Sequence, residues 1–276
     1  MNSARDPHDA SRGDPTIAAL TTWLVPGIGH LYLKAPLFGV AAFLVVQGLY
    51  WLGLRLSEGM AFEFLQADLR SPFAGALTPE VGNLGALIWH MREYGYGPGF
   101  PRPWPEHVRL GAWLTAASGM LNAFLMVRAH VDARLAPGRR VRLAEHPAML
   151  ALLAWLVPGL GHLAQGRRKR GLVVLVLLVG LLVLGTLLAD GSNLDRERHF
   201  YYWGGQFLTG LPAMGLEALH GHARLAAEVP YVDAGLVFAS LAGLLNVLAM
   251  LDVYGWAEAR LFGAGAGSPR PAEARA

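Results

Sequence analysis

Long apolar runs alternate with polar segments along this chain. Six runs approach the roughly 20 apolar residues that a helix needs to cross a bilayer. They are Ile17–Leu33, Leu37–Leu56, Arg109–Met126, Pro147–Leu163, Gly171–Leu188 and Val232–Leu251. The run Gly171–Leu188, GLVVLVLLVGLLVLGTLL, carries no charge. A single soluble core cannot cover six such helices. The pattern therefore predicts an all-α, integral membrane helical bundle of about six membrane helices. Two longer polar segments, Ser57–Val108 and Asp190–Tyr231, hold more than half of the acids and half of the histidines. Their short apolar stretches, Asn83–Trp89 and Gln206–Leu219, suit interfacial or re-entrant helices. Tyr94, Tyr96, Trp104, Tyr201, Tyr202 and Trp203 suit the headgroup layer, where amphipathic rings anchor.

The runs recur in order, which predicts two related three-helix halves. Residues 19–59 align without a gap on 151–191, with 17 of 41 positions identical, including WLVPGIGHL at Trp23–Leu31 and WLVPGLGHL at Trp155–Leu163. Residues 111–126 align on 235–250 through shared Gly, Leu, Asn and Met positions. The expected organisation is a polar tail (1–16), a first repeat (17–135), a basic linker (136–146), a second repeat (147–262) and a Gly, Ala and Pro-rich disordered tail (263–276). The first 16 residues lack the charge-then-apolar order of a signal peptide, so the first apolar run is read as retained.

Composition agrees with a membrane protein. Of 276 residues, 54% are hydrophobic and 16% charged, and the mean hydropathy is +0.36. An average soluble domain carries about 25% charged residues. Cysteine is absent, which excludes disulfides and thiolate metal sites. The net charge of +3 is too small to suggest nucleic acid. Two basic clusters, Arg139, Arg140, Arg142 and Arg167, Arg168, Lys169, Arg170, abut apolar runs. Such clusters mark cytoplasmic loops that face anionic lipid. If Pro147–Leu163 crosses fully, the clusters lie on opposite sides; if it dips in and returns, they share one side.

The motif pair Pro26, Gly27, Gly29, His30 and Pro158, Gly159, Gly161, His162 predicts a backbone break in each half. The preferred reading is a kink with close packing, the histidine supplying a donor to the freed carbonyls. The sharper reading is a paired histidine site for a proton, metal or ligand. Small-residue ladders, Gly111, Thr115, Gly119 and Gly235, Ala239, Gly243, predict close helix packing. Asn122 and Asn246 lie near the same faces and are read as helix ties, with substrate contact the alternative. Arg128 and Asp252 hold equivalent positions and opposite charge, and could pair if the halves are parallel. His199, His220 and His222 are scattered, and no HExxH, Walker or GxSxG motif accompanies them. No cofactor or metal is expected.

The PGxGH helix, linker and second apolar helix resemble the bacterial two-transmembrane-helix domain. The fuller pattern resembles an uncharacterised family of bacterial multi-pass membrane proteins. The matching residues are Ala154–Leu163, Gly166–Gly171, Gly210-Leu211-Pro212 and Ala242–Asp252. The first half departs at Lys34-Ala35-Pro36 and at Arg128. That resemblance implies fold and location and no activity. The expected function is a non-enzymatic structural or assembly module of a bacterial inner membrane. The alternatives are a small-solute or ion transporter and, more weakly, an enzyme using the loop histidines. Expected partners are the bilayer, anionic lipids at the basic linkers, and a second copy or another membrane protein.

Overall fold

The computed structural model describes residues 11–63, 65, 67–71, 74–97, 102–220 and 229–263. Both tails therefore lie largely outside the described residues, as does His222. The described residues hold eleven α-helices, a few 3-10 turns and no strand. In chain order the helices are α1 (Pro15–Leu24), α2 (Ile28–Tyr32), α3 (Pro36–Ser57), α4 (Leu84–Glu93), α5 (Val108–Arg134), α6 (Pro147–Leu156), α7 (Leu160–Ala164), α8 (Arg168–Leu188), α9 (Phe200–Phe207), α10 (Leu211–His220) and α11 (Val232–Phe262).

Four of these, α3, α5, α8 and α11, are long and apolar enough to cross a membrane. The 22 residues of α3 reach about 33 Å, against about 30 Å of hydrocarbon. The other two of the six expected membrane segments do not form continuous helices of that length. The runs Ile17–Leu33 and Pro147–Leu163 are each broken into two pieces, α1 with α2 and α6 with α7. At ten residues, α1 and α6 reach only about 15 Å.

α3 and α5 run antiparallel. The end of α3 meets the start of α5 at Gly53 and Gly111, and the start of α3 meets the end of α5 where Arg128 lies over the Phe38 ring. Ser118 donates to the Val46 carbonyl at 2.8 Å between these contacts. α8 and α11 repeat the arrangement, with Gly185 against Gly235 and Arg170 bonded to Asp252. The C-termini of α5 and α11 adjoin: Arg134 pairs with Glu258, and Arg139 donates to the Leu261 carbonyl. Both basic clusters consequently sit at one end of the bundle. Arg139, Val141, Ala144 and Glu145 line the same cavity there as Ala164 and Gln165. The chain thus enters and leaves the α6–α7 unit on one side.

The outer faces of α3 and α8 carry exposed Leu, Val and Phe side chains, with Leu37 at 86% and Leu187 at 73% exposure. In the centre, Phe124 packs on Trp155, and Trp203 stacks on Phe207 at 5.0 Å. Trp203 is therefore a core residue and not a headgroup anchor, because its position on α9 turns it inward against α11 and α10. The end opposite the two basic clusters is capped by the short helices and a cluster around Met60, Phe62, Leu65, Leu87 and Phe200.

Candidate functional site

Each broken helix follows from its Pro-Gly pair. Proline disfavours helical geometry in the residue before it. Val25 and Val157 are accordingly extended, at φ −141° and −143°. Gly27 and Gly159 then take φ of 83° and 84°, which L side chains rarely adopt. A methyl group on either would also run into the carbonyl of Gly39 or Gly171. Gly29 and Gly161 pack against the carbonyls of Ala18 and Leu150 in the preceding helix piece.

Proline has no N–H, so the carbonyl four residues before it loses its helical donor. In this chain those carbonyls belong to Thr22 and Ala154. The Asn122 amide donates to the Thr22 carbonyl at 2.8 Å, and the Asn246 amide donates to that of Ala154 at 3.1 Å. Each amide also donates at 2.9 Å to the polar segment of its own half, at Gly82 or Leu208. Asparagine, and not the histidine of PGxGH, supplies the missing donor. The histidine lies beyond the break, with its ring directed away from these carbonyls toward the basic end. Trp23 and Trp155 add a second tie by donating to the carbonyls of Val81 and Phe207.

The two histidines differ in their partners. His162 bonds Asp252 at 2.9 Å, and Asp252 also meets Arg167 at 2.8 Å and Arg170 at 3.0 Å. His30 is buried with neither ring nitrogen bonded, and packs at 4.7 Å on the Phe38 ring. Arg128 does not reach Asp252, which overturns that pairing. It lies 3.5 Å from Asp132, four residues on along the same helix turn, and Asp132 lies 3.5 Å from His146. The ion pair between equivalent positions is instead Arg134 with Glu258, two turns nearer the helix ends, where α5 and α11 meet.

The small-residue ladders are used within the chain. Gly111 packs on Gly53 and Ser57, and Gly235 packs on Gly185 and Ala189. Gly119 abuts Pro79 and Glu80, Gly243 abuts Gly205 and Leu208, and Ala239 packs on Gly185. These faces are not free for a partner.

The opposite end holds a buried ion pair that motif reading missed. Arg196 bonds Glu80 at 3.0 Å, with side-chain exposures of 5% and 0%, and Thr115 donates to the same carboxylate oxygen at 2.9 Å. Gln206, with its neighbours Asn193 and Thr186, makes the corresponding polar knot in the second half. Glu217 accepts from the Trp203 ring N–H at 2.8 Å, and burial pushes its carboxyl up to about 7.

His199 bonds Ser192 at 2.9 Å, and burial lowers its basicity. Ser192 is itself buried, and no acid is bonded to His199 among the described residues. His220 abuts Gly191 and is exposed. No group of three His, Asp or Glu side chains able to hold a metal occurs among the described residues.

No curated protein and no solved structure matches the chain. One family model matches it twice, over residues 17–141 and again over 149–264. Those two matches take in both Pro-Gly breaks, all four long helices and both asparagines. The chain belongs to a family of unknown function, DUF6677.

Proposed function

We propose that the chain is a non-enzymatic structural module of a bacterial inner membrane, built by internal duplication. The observation that carries this reading is the use of Asn122 and Asn246. Each side-chain N–H group bonds the backbone carbonyl that the proline of its half orphans, and a second backbone carbonyl at Gly82 or Leu208. Two cavities along the long helices are lined mainly by Ala, Val, Leu, Met and Phe, joined by Arg128 and His146 in one and by His130 and Tyr254 in the other. Duplication is supported by the recurrence of each tie at equivalent positions and by the double family match. In this reading the arginine-rich end faces the cytoplasm, and the units α1–α2 and α6–α7 dip into the bilayer and return.

The transporter reading draws on the broken helices, and one experiment separates the two. Purified protein in liposomes should hold a potassium or proton gradient as long as empty liposomes do. Dissipation that disappears in the Asn122→Ala, Asn246→Ala double variant would establish transport instead. The topology has its own test, helped by the absence of cysteine. Single cysteines at Arg140 and Lys169 should both resist an impermeant thiol reagent in intact cells and both react after lysis. Reaction of only one in intact cells would overturn the re-entrant arrangement.

A further inference from the structure

An apolar groove of about 370 Å³ opens between α3, α5 and α6 toward the basic end. Its floor and walls include Ala41, Ala42, Phe124, Ala148 and Leu152. The alanines widen it, because they place methyl groups where neighbouring turns carry Leu and Val. Its head is cationic and polar. Arg128 lines it, with the guanidinium 4.1 Å above the Phe38 ring, and His146 lines it beside Arg128. Leu143 forms part of the wall, and Arg142, exposed, directly precedes it in the basic linker. Among the described residues neither Arg140 nor Arg142 has an ion-pair partner. Asp132 and Glu145 are the carboxylates nearby, and Asp132 is shared between Arg128 and His146.

The second half fills the same position differently. Asp252 stands where Arg128 stands in the first half, and its carboxylate is held by Arg167, Arg170 and His162. The second half thus carries its own anion among its basic linker residues. In the first half that position holds a cation instead, Arg128, with Asp132 shared between it and His146.

We propose that this groove binds one anionic phospholipid per chain, with an acyl chain along α3 and α6 and the phosphate between Arg128 and Arg142. The occupant follows from charge complementarity at the head and from the apolar lining along the helices. The proposal rests on the reading of the chain as a membrane protein whose basic end lies at the headgroup layer. Cysteine labelling tests that orientation separately, so a failure of lipid binding leaves it standing.

The test is native mass spectrometry of the full chain in mild detergent, titrated with phosphatidylglycerol or with phosphatidylcholine of the same acyl chains. One phosphatidylglycerol should be retained per chain at concentrations where phosphatidylcholine leaves the protein bare. Arg128→Gln with Arg142→Gln should lower phosphatidylglycerol occupancy at least about fivefold. Ala41→Phe should lower it as much by filling the groove; Ala41 is exposed, so the ring does not disturb helix packing. Lys169→Gln, in the other basic cluster, should change nothing. A melting temperature within about 3 °C of the parent identifies folded variants. Equal retention of both lipids, retention unchanged by Ala41→Phe, or dimers in place of lipid adducts would each overturn the proposal.

Discussion

Arg196→Met should lower stability by about 3–5 kcal/mol, the usual cost of removing one partner of a buried ion pair. The Glu80 carboxylate would keep its hydrogen bond from Thr115 and lose its only ion-pair partner among the described residues. Arg196 also donates to the Ala112 carbonyl at 3.4 Å and lies 4.9 Å from the Phe200 ring and 4.7 Å from the Trp203 ring. Methionine would keep much of the ring contact, which isolates the charge effect. The second half shows how to relieve it, because a neutral Gln206 makes its polar knot. Arg196→Met combined with Glu80→Gln should therefore recover most of the loss. Denaturant unfolding in detergent reads both variants. A single-variant loss below about 1 kcal/mol, or a double variant no better than the single, would refute the argument.

Gly243→Leu and Gly119→Leu should each cost about 3 kcal/mol or more, at the upper end of overpacking penalties. The reason is that the neighbours are backbone atoms, which cannot swing aside. A side chain at Gly243 would overlap the Gly205 carbonyl, and its Cβ would lie 3.1 Å from that of Leu208. One at Gly119 would overlap the Pro79 carbonyl and sit 2.7 Å from the Glu80 Cα. Gly255 on the same helix as Gly243 has open space, so Gly255→Leu is the matched control. Size-exclusion yield of folded protein should collapse for the first two and hold for the third. Equal yields from Gly243→Leu and Gly255→Leu would remove the close-packing account.

The helical membrane character was plain in the sequence, because apolar run length reports membrane burial directly. The number of crossings was less plain. Counting apolar residues from Ile17 to Leu33 ignores what Pro26 and Gly27 do to the path of the backbone. The asparagines were legible as helix ties, but not as the partners of Thr22 and Ala154. That pairing follows from two facts read together, the proline four residues on and an amide about 100 residues later. The same periodic alignment singled out Arg128 and Asp252 but predicted the wrong contact. Arg128 finds Asp132 on its own helix, and the ion pair between α5 and α11 falls nearer their ends, at Arg134 and Glu258. Arg196 and Glu80 were out of reach, since they are 116 residues apart and no motif marks either.

The division of labour between proline and asparagine also bears on how the protein is made. The Ala154 carbonyl waits for Asn246, which is synthesised 92 residues later, and Thr22 waits 100 residues for Asn122. At about 5–20 residues per second, the delay is roughly 5–20 s. Hydrocarbon offers no water to an orphaned carbonyl in that interval. In the re-entrant reading, each broken helix is expected to stay at the lipid–water boundary during translation until the long helix that carries its asparagine arrives.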